Sequence, residues 1–261
     1  MRRFHLIELH EQPWLPSSIR DEITDTLQFG VNLLNAYGPV APLLRRALGM
    51  TFNRATSGRS VVDLCSGGAG PWLELLRQLD SPSVHVRLTD RFPNLAAFQK
   101  VSTASAGQIT FHPASVDAMN VPAELQGFRT MFTAFHHFSP EDAAAILRGA
   151  VNAGEGIGVF EITRRSPLTI ALIFPWVLLL IVCTPWVRPF RWSRLLWTYL
   201  VPIIPAVLLF DGVVSCLRTY RPAELRGLAS KLHAPGYQWE IGEIPGVLPV
   251  TYLIGVPPES S

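Results

Sequence analysis

A chain of 261 residues suffices for one large domain or two small ones, and 48% hydrophobic against 16% charged residues excludes a disordered, tail-like protein. With 22 basic and 20 acidic residues the formal charge is only +2, too sparse a basic field for a nucleic-acid binder, so no nucleic acid is expected as a partner. Three scattered cysteines, Cys65, Cys183 and Cys216, make no disulfide framework, and with no Cys-x-x-Cys pair to suggest zinc no metal is expected.

The opening MRRFHLIELHEQPW carries an Arg pair, but Glu8, His10 and Glu11 arrive before an apolar stretch of secretory length can form. It reads as no signal peptide, and the chain as cytosol-facing. Glu8, His10, Glu11 and Trp14 are expected at the surface; closure of this segment over a substrate is the other reading. Ser18-Ile-Arg-Asp21 has the form of a capping box, and Ile19, Ile23, Leu27, Val31 and Leu34 follow at helical spacing. After the Gly38-Pro39 break a short helix is expected over Pro42 to Leu48.

A regular alternation follows. Strands are expected at 60–66, 84–90, 108–114, 130–135 and 156–162, with helices over Pro71 to Leu79, Asn94 to Ser102 and, capped by Ser139, Pro140 to Ala150. Strands alternating with helices imply parallel crossovers and a doubly wound, Rossmann-like sheet. Beyond residue 220, RPAELRGLASKL reads as a helix. YQWEIGEI and PVTYLIGV read as two strands joined through Pro245-Gly246, close enough for an antiparallel pair.

Two uncharged runs interrupt this pattern, Pro167 to Val187 and Leu195 to Phe210, separated by Arg188, Arg191 and Arg194. At about 1.5 Å per residue the first could just cross a bilayer core of about 30 Å, whereas the second falls short unless Asp211 is carried in. A two-span hairpin on a cytosolic domain would place the three-arginine loop outside, against the positive-inside tendency. Pro175, Pro185, Pro202 and Pro205 are expected to break the helices, while Trp176, Trp186, Trp192, Trp197 and Tyr199 suit the headgroup region. The expectation is a re-entrant or interface-lying hairpin on the cytoplasmic face of the cell membrane, attached through 167–217, with Arg164 and Arg165 meeting headgroups. An apolar lid or a dimer interface in a soluble protein is the alternative, and a homo-oligomer stays open.

In VVDLCSGGAGPW, Asp63 ends the first strand, and Gly67, Gly68 and Gly70 fill the turn before a helix. The spacing is not the Gly-x-Gly-x-x-Gly of dinucleotide enzymes. It resembles instead the first motif of class I S-adenosylmethionine-dependent methyltransferases, with Cys65 and Ala69 standing at two of the family's glycines. Asp90, at the end of the second strand, and Asp117, after the third, agree with it. The resemblance covers roughly 59–166 and 218–256. It implies a mostly parallel seven-stranded sheet with an antiparallel C-terminal strand, and S-adenosylmethionine as cofactor. It further implies that Asp63, Cys65, Gly67, Gly68 and Gly70 lie along the methionine part, that Asp90 accepts from the ribose hydroxyls and that Asp117 meets the adenine amine. The domains expected are an N-terminal helical cap (1–58), the cofactor-binding core (59–166), the hydrophobic hairpin insertion (167–217) and a C-terminal completion of the core (218–261).

The fourth strand ends FHHFSPED, without the Asn/Asp-Pro-Pro-aromatic sequence of nucleic-acid amino methyltransferases. His137 and His136 are the candidate acid/base groups, and strand alternation lets only one face a substrate unless the strand has already ended. Glu161, ending the fifth strand, could also face the cleft. Two functions follow: O- or N-methyl transfer to a lipid-like or other apolar small molecule at the membrane, or a non-catalytic membrane-bound scaffold or sensor keeping the fold.

Overall fold

The structure, a computed structural model, describes residues 1–52, 60–81, 83–232, 234–246 and 248–258. The expected boundary between 58 and 59 lies outside the described residues. An N-terminal segment leads into α1 (Ser17–Leu33) and α2 (Ala41–Phe52). The core then runs β1 (Ser60–Asp63), α3 (Trp72–Leu79), β2 (His85–Leu88), α4 (Leu95–Ala104), β3 (Ile109–Phe111), β4 (Phe128–Phe132), α5 (Pro140–Asn152) and β5 (Ile157–Glu161). The apolar segment folds as α6 (Pro167–Cys183), α7 (Trp192–Leu195) and α8 (Ile203–Arg218), followed by α9 (Pro222–Ser230), β6 (Gln238–Ile244) and β7 (Val250–Val256).

The described strands form one sheet in the order β3-β2-β1-β4-β5-β7-β6. The first five are parallel, and β7 inserts antiparallel between β5 and β6, with Ile157 opposite Gly255 and Gln238 opposite Val256. Because successive side chains point to opposite faces, neighbouring residues feed different cores. Val61, Val86 and Ile109 join Leu44, Trp72, Leu75 and Phe98 on one side. Val62, Met131, Val159 and Leu253 join Ile146, Leu147 and Leu225 on the other. With both faces covered, the central strands β4 and β5 are buried almost throughout, as parallel sheets require.

Several local expectations shift. The Ser18–Asp21 capping box does not form: α1 starts two residues earlier behind Pro16, whose carbonyl accepts from Ile19 and Arg20 N–H. β4 starts at Phe128 because Arg129 is carried into the interior, and it ends at Phe132 because Thr133 turns to φ +45. β1 stops at Asp63, ahead of a left-handed Cys65. Pro175 does not break its helix. Pro205 sits in the first turn of α8, where an N–H has no intrahelical partner to lose.

The apolar segment lies on the domain and does not run away from it. Leu180, Val177, Ile204, Val207 and Leu208 pack with Ile19 and Ile23 of α1 in a third core. Gly30 of α1 allows this approach, since a Cβ there would stand 2.5 Å from the Trp176 ring. The arginine loop also docks: Arg194 is buried and its Nη2 donates to Asp25 Oδ2 at 2.6 Å, while Ser193 Oγ donates to Glu22. Arg164 and Arg165 likewise meet Glu243 and Glu224, not open surface, because β6 and α9 bring those carboxylates across. Among the described residues one helix, Pro167–Trp186, has the length and apolarity to cross a membrane, and 17% of it is buried. The second run cannot act as a straight span, because it bends by 73° between Trp192–Leu200 and Ile203–Arg218.

Candidate active site

β1 delivers Asp63 to the carboxyl end of the sheet's centre, where open α/β sheets bind ligands. Its carboxylate is buried beneath the glycine turn, Oδ1 accepting from Thr130 Oγ1 at 2.6 Å and Oδ2 from Ser66 Oγ at 2.7 Å. Burial drives its pKa up to about 6 against the opposing pull of these hydrogen bonds. Asp63 therefore braces the turn from below. Cys65, Gly67, Ala69 and Gly70 all take positive φ, at 58°, 51°, 90° and 60°. Cys65 and Ala69 thus keep a glycine-like backbone, at a cost of roughly 1–2 kcal/mol each. Ser66 meets that cost locally, its carbonyl accepting from Ala69 and Gly70 and its N–H donating to Thr89.

Asp90 follows β2 and is half-buried, its Oδ2 accepting from Gly67 N at 2.7 Å and Oδ1 from Phe92 N at 2.8 Å. Each oxygen retains a second acceptor position. Asp117 is exposed after β3, where its Oδ1 accepts from Met119 N at 2.9 Å. α1 lies across the turn so closely that a Cβ on Gly68 would stand 2.7 Å from the Thr24 carbonyl oxygen. This donor set fits a sulfonium nucleoside: the carboxylates of Asp90 and Asp117 are held by backbone N–H groups with acceptor positions left for hydroxyl and amine donors, beside a turn that carries three glycines.

Beyond β4 the strand has ended, so alternation no longer governs the two histidines, which lie in a 3-10 turn over Phe135–His137. His136 is buried, its Nδ1 2.8 Å from Glu161 Oε2 and its Nε2 3.5 Å from Glu8 Oε1. Burial alone would lower its pKa; Glu161 and Glu8 overcome that and push it up to about 10. His136 is therefore a charged partner of buried carboxylates, not a free base. Glu161 turns inward, accepting from the Phe135 and His136 N–H groups, and does not face a cleft. His137 is the more open ring, with Nδ1 2.8 Å from Glu11 Oε1.

The N-terminal segment closes over this turn. Glu8 is 0% exposed, contrary to the surface expected of it, because Phe4 N donates to the Leu217 carbonyl and Leu9 N to Asp211 Oδ1, tying the segment to α8. Burial would raise its pKa, but His137 and His136 hold it well below the carboxylate range. Burial also opposes ionisation of Glu11, which His137 and Arg218 nevertheless bring to about 2. Arg218 Nη1 lies 2.9 Å from Glu11 Oε2, and its Nε donates to the His136 carbonyl. His10 Nδ1 stands 2.9 Å from Asp211 Oδ2. Trp14 alone of the four stays exposed. Sequence reasoning missed Asp211 and Arg218 as members of the site. The available signal was a lone acid in an otherwise uncharged run, which calls for an internal partner.

No protein-family model matches the chain, and no curated protein matches its sequence. Among solved structures, the plantazolicin methyltransferase BpumL in complex with SAH superposes with a TM-score of 0.51 at 10% identity, over 92% of this chain and 96% of that one. An O-methyltransferase family protein from Burkholderia thailandensis gives 0.50 at 15% identity, over 89% of this chain. The chain has a methyltransferase fold. It spans only 59% of the length of the Burkholderia protein. In this methyltransferase fold the carboxyl ends of β1, β2 and β4 place the glycine turn, Asp90 and the histidine turn at one edge of the sheet.

Proposed function

We propose that the protein transfers a methyl group from S-adenosylmethionine to an oxygen or nitrogen of a lipid-like or other apolar small molecule taken from a membrane surface. The observation that carries this reading is the open carboxylate of Asp90, fixed by Gly67 N–H over a turn of left-handed residues in a methyltransferase fold. The cofactor would supply an electrophilic methyl on sulfur. Asp90 would accept from its ribose hydroxyls, Asp117 from its adenine amine, and the backbone of Cys65, Gly67 and Gly70 would lie along its methionine part, Gly68 being covered by the Thr24 carbonyl of α1. Transfer of a methyl group needs alignment more than acid/base machinery. His137 and the closing N-terminal segment would position the acceptor.

The membrane reading rests on the hairpin's outer face. Leu168, Leu172, Phe174, Val182, Trp186 and Trp192 are each more than half exposed, large apolar side chains concentrated in one segment of the chain. Both ends of α6 and the arginine loop contact the same domain, through Arg165, Lys100 and Asp25. We therefore place the hairpin in the plane of the cytoplasmic leaflet, with the exposed Trp186 and Trp192 at headgroup level, while Trp176 and Trp197 pack against the third core.

Methyl-labelled S-adenosylmethionine, incubated with the protein and a lipid extract of the host, should yield a labelled apolar product by mass spectrometry. Absence of cofactor binding by calorimetry would overturn the enzyme in favour of a scaffold. Liposome flotation that resists a high-salt wash is expected for the hairpin; monodisperse protein without detergent would support the lid or dimer interface instead.

A further inference from the structure

The buried network around Glu8 is incomplete in a way that points to a ligand. Glu8 Oε1 accepts from Ser215 Oγ at 3.1 Å, but Oε2, in a side chain with no exposure, has no hydrogen-bond donor. An unsatisfied buried carboxylate oxygen is costly. This one is aimed between two imidazoles, 3.4 Å from His137 Nδ1 and 3.7 Å from His10 Nδ1. His137 Nδ1 is itself buried without an aligned partner. One ligand atom from each of Glu8, His10 and His137 falls within 4.8 Å of the others. Two ligands bound at about 2.0–2.2 Å to one tetrahedral metal stand roughly 3.4 Å apart, the spacing seen between Glu8 and His137.

The surroundings agree. Asp211 receives the His10 and Leu9 N–H groups and stands 2.9 Å from His10 Nδ1, the carboxylate backing that metal-bound imidazoles commonly have. The tautomer that donates Nδ1–H there carries its lone pair on Nε2.

We propose that Glu8, His10 and His137 form a divalent-metal site, of the two-imidazole, one-carboxylate kind that suits Zn²⁺, with Glu11 adjacent to its open position. The expectation of no metal looked only for cysteine spacing; Glu8 and His10 lie two positions apart, and His137 joins them from more than a hundred residues away only on folding. The site does not rest on the methyl-transfer reading, and its test uses no S-adenosylmethionine, so the two can fail separately.

The full chain, purified in detergent and stripped with a chelator, is titrated with ZnCl₂ by calorimetry. One equivalent should bind. His10→Ala and His137→Ala should each weaken binding by at least about 100-fold, since changes outside the ligand shell already cost 10–100-fold. Glu243→Gln, on the far ion pair with Arg164, should bind as the wild type does. X-ray absorption on the zinc-loaded wild type supplies an arm independent of variant folding: oxygen and nitrogen neighbours only, near 2.0–2.1 Å with imidazole scattering. Circular dichroism checks each variant. Failure of folded wild type to take up stoichiometric zinc, uptake that survives when His10→Ala and His137→Ala are combined, or sulfur in the absorption spectrum would each overturn the site.

Discussion

Replacing Asp63 by asparagine removes a group that folding makes harder to ionise. Its carboxylate lies buried under the glycine turn, and the hydroxyls of Thr130 and Ser66 offset only part of the desolvation, so the pKa rises from 3.8 to about 6. A carboxyl raised on folding gives stability that is whole below the unfolded value and is lost as pH climbs through the folded one. Between those two values the loss comes to roughly 3 kcal/mol at about 1.4 kcal/mol per unit. Asparagine keeps a carbonyl for Thr130 and offers an N–H that a rotated Ser66 hydroxyl can accept. Asp63→Asn should therefore gain on the wild type as pH rises from below 4 to 7. The assay is urea unfolding of both proteins in one detergent at a series of pH values, followed by tryptophan fluorescence. A difference in stability that stays flat, or shrinks with pH, refutes the reasoning: it would mean that the hydrogen bonds fully compensate the buried charge.

Other perturbations test the docking and the cofactor contacts. Burial outweighs Arg194 and Arg191 in raising the Asp25 pKa, so that pair is held at a cost. Asp25→Leu alone should lose about 3–5 kcal/mol by stranding a guanidinium, and Asp25→Leu with Arg194→Met should recover most of it in a double-mutant cycle. Gly30→Ala drives a methyl into the Trp176 ring and should cost about 1–3 kcal/mol, read by thermal unfolding together with faster proteolysis in the Val187–Arg191 loop. Asp90→Ala should weaken S-adenosylmethionine binding by about 1.5–3 kcal/mol for each charge-assisted bond lost; unchanged calorimetric affinity would remove Asp90 from the site.

The strand and helix alternation was readable because β1, β4 and β5 are short apolar runs between turn residues, and the helices between them carry their caps in sequence, Ser139 and Asn94 among them. Asp63, Asp90 and the glycines were readable because a parallel sheet puts successive strand ends together. The closing of the N-terminal segment was not. Glu8, His10 and Glu11 look like solvated polar residues until α8 brings Asp211, Ser215 and Arg218 against them, more than 200 positions away. The burial of Arg194 was hidden for the same reason, since only the tertiary placement of Asp25 turns it inward.

The helix α1 joins these two sets of contacts. On one side the Thr24 carbonyl rests on Gly68, and Asn94 Nδ2 donates to Asp25 Oδ1 at 3.1 Å, tying the helix to the glycine turn and to α4. On the other, Asp25 Oδ2 holds Arg194, and Gly30 receives Trp176. A single carboxylate, Asp25, is shared between the cofactor side and the hairpin side. A 17-residue helix is a rod of about 25 Å and does not bend to absorb a local shift. The position of the apolar hairpin against the domain and the closure of α1 over the glycine turn are therefore set by the same side chains, and a substitution that loosens one must be felt at the other.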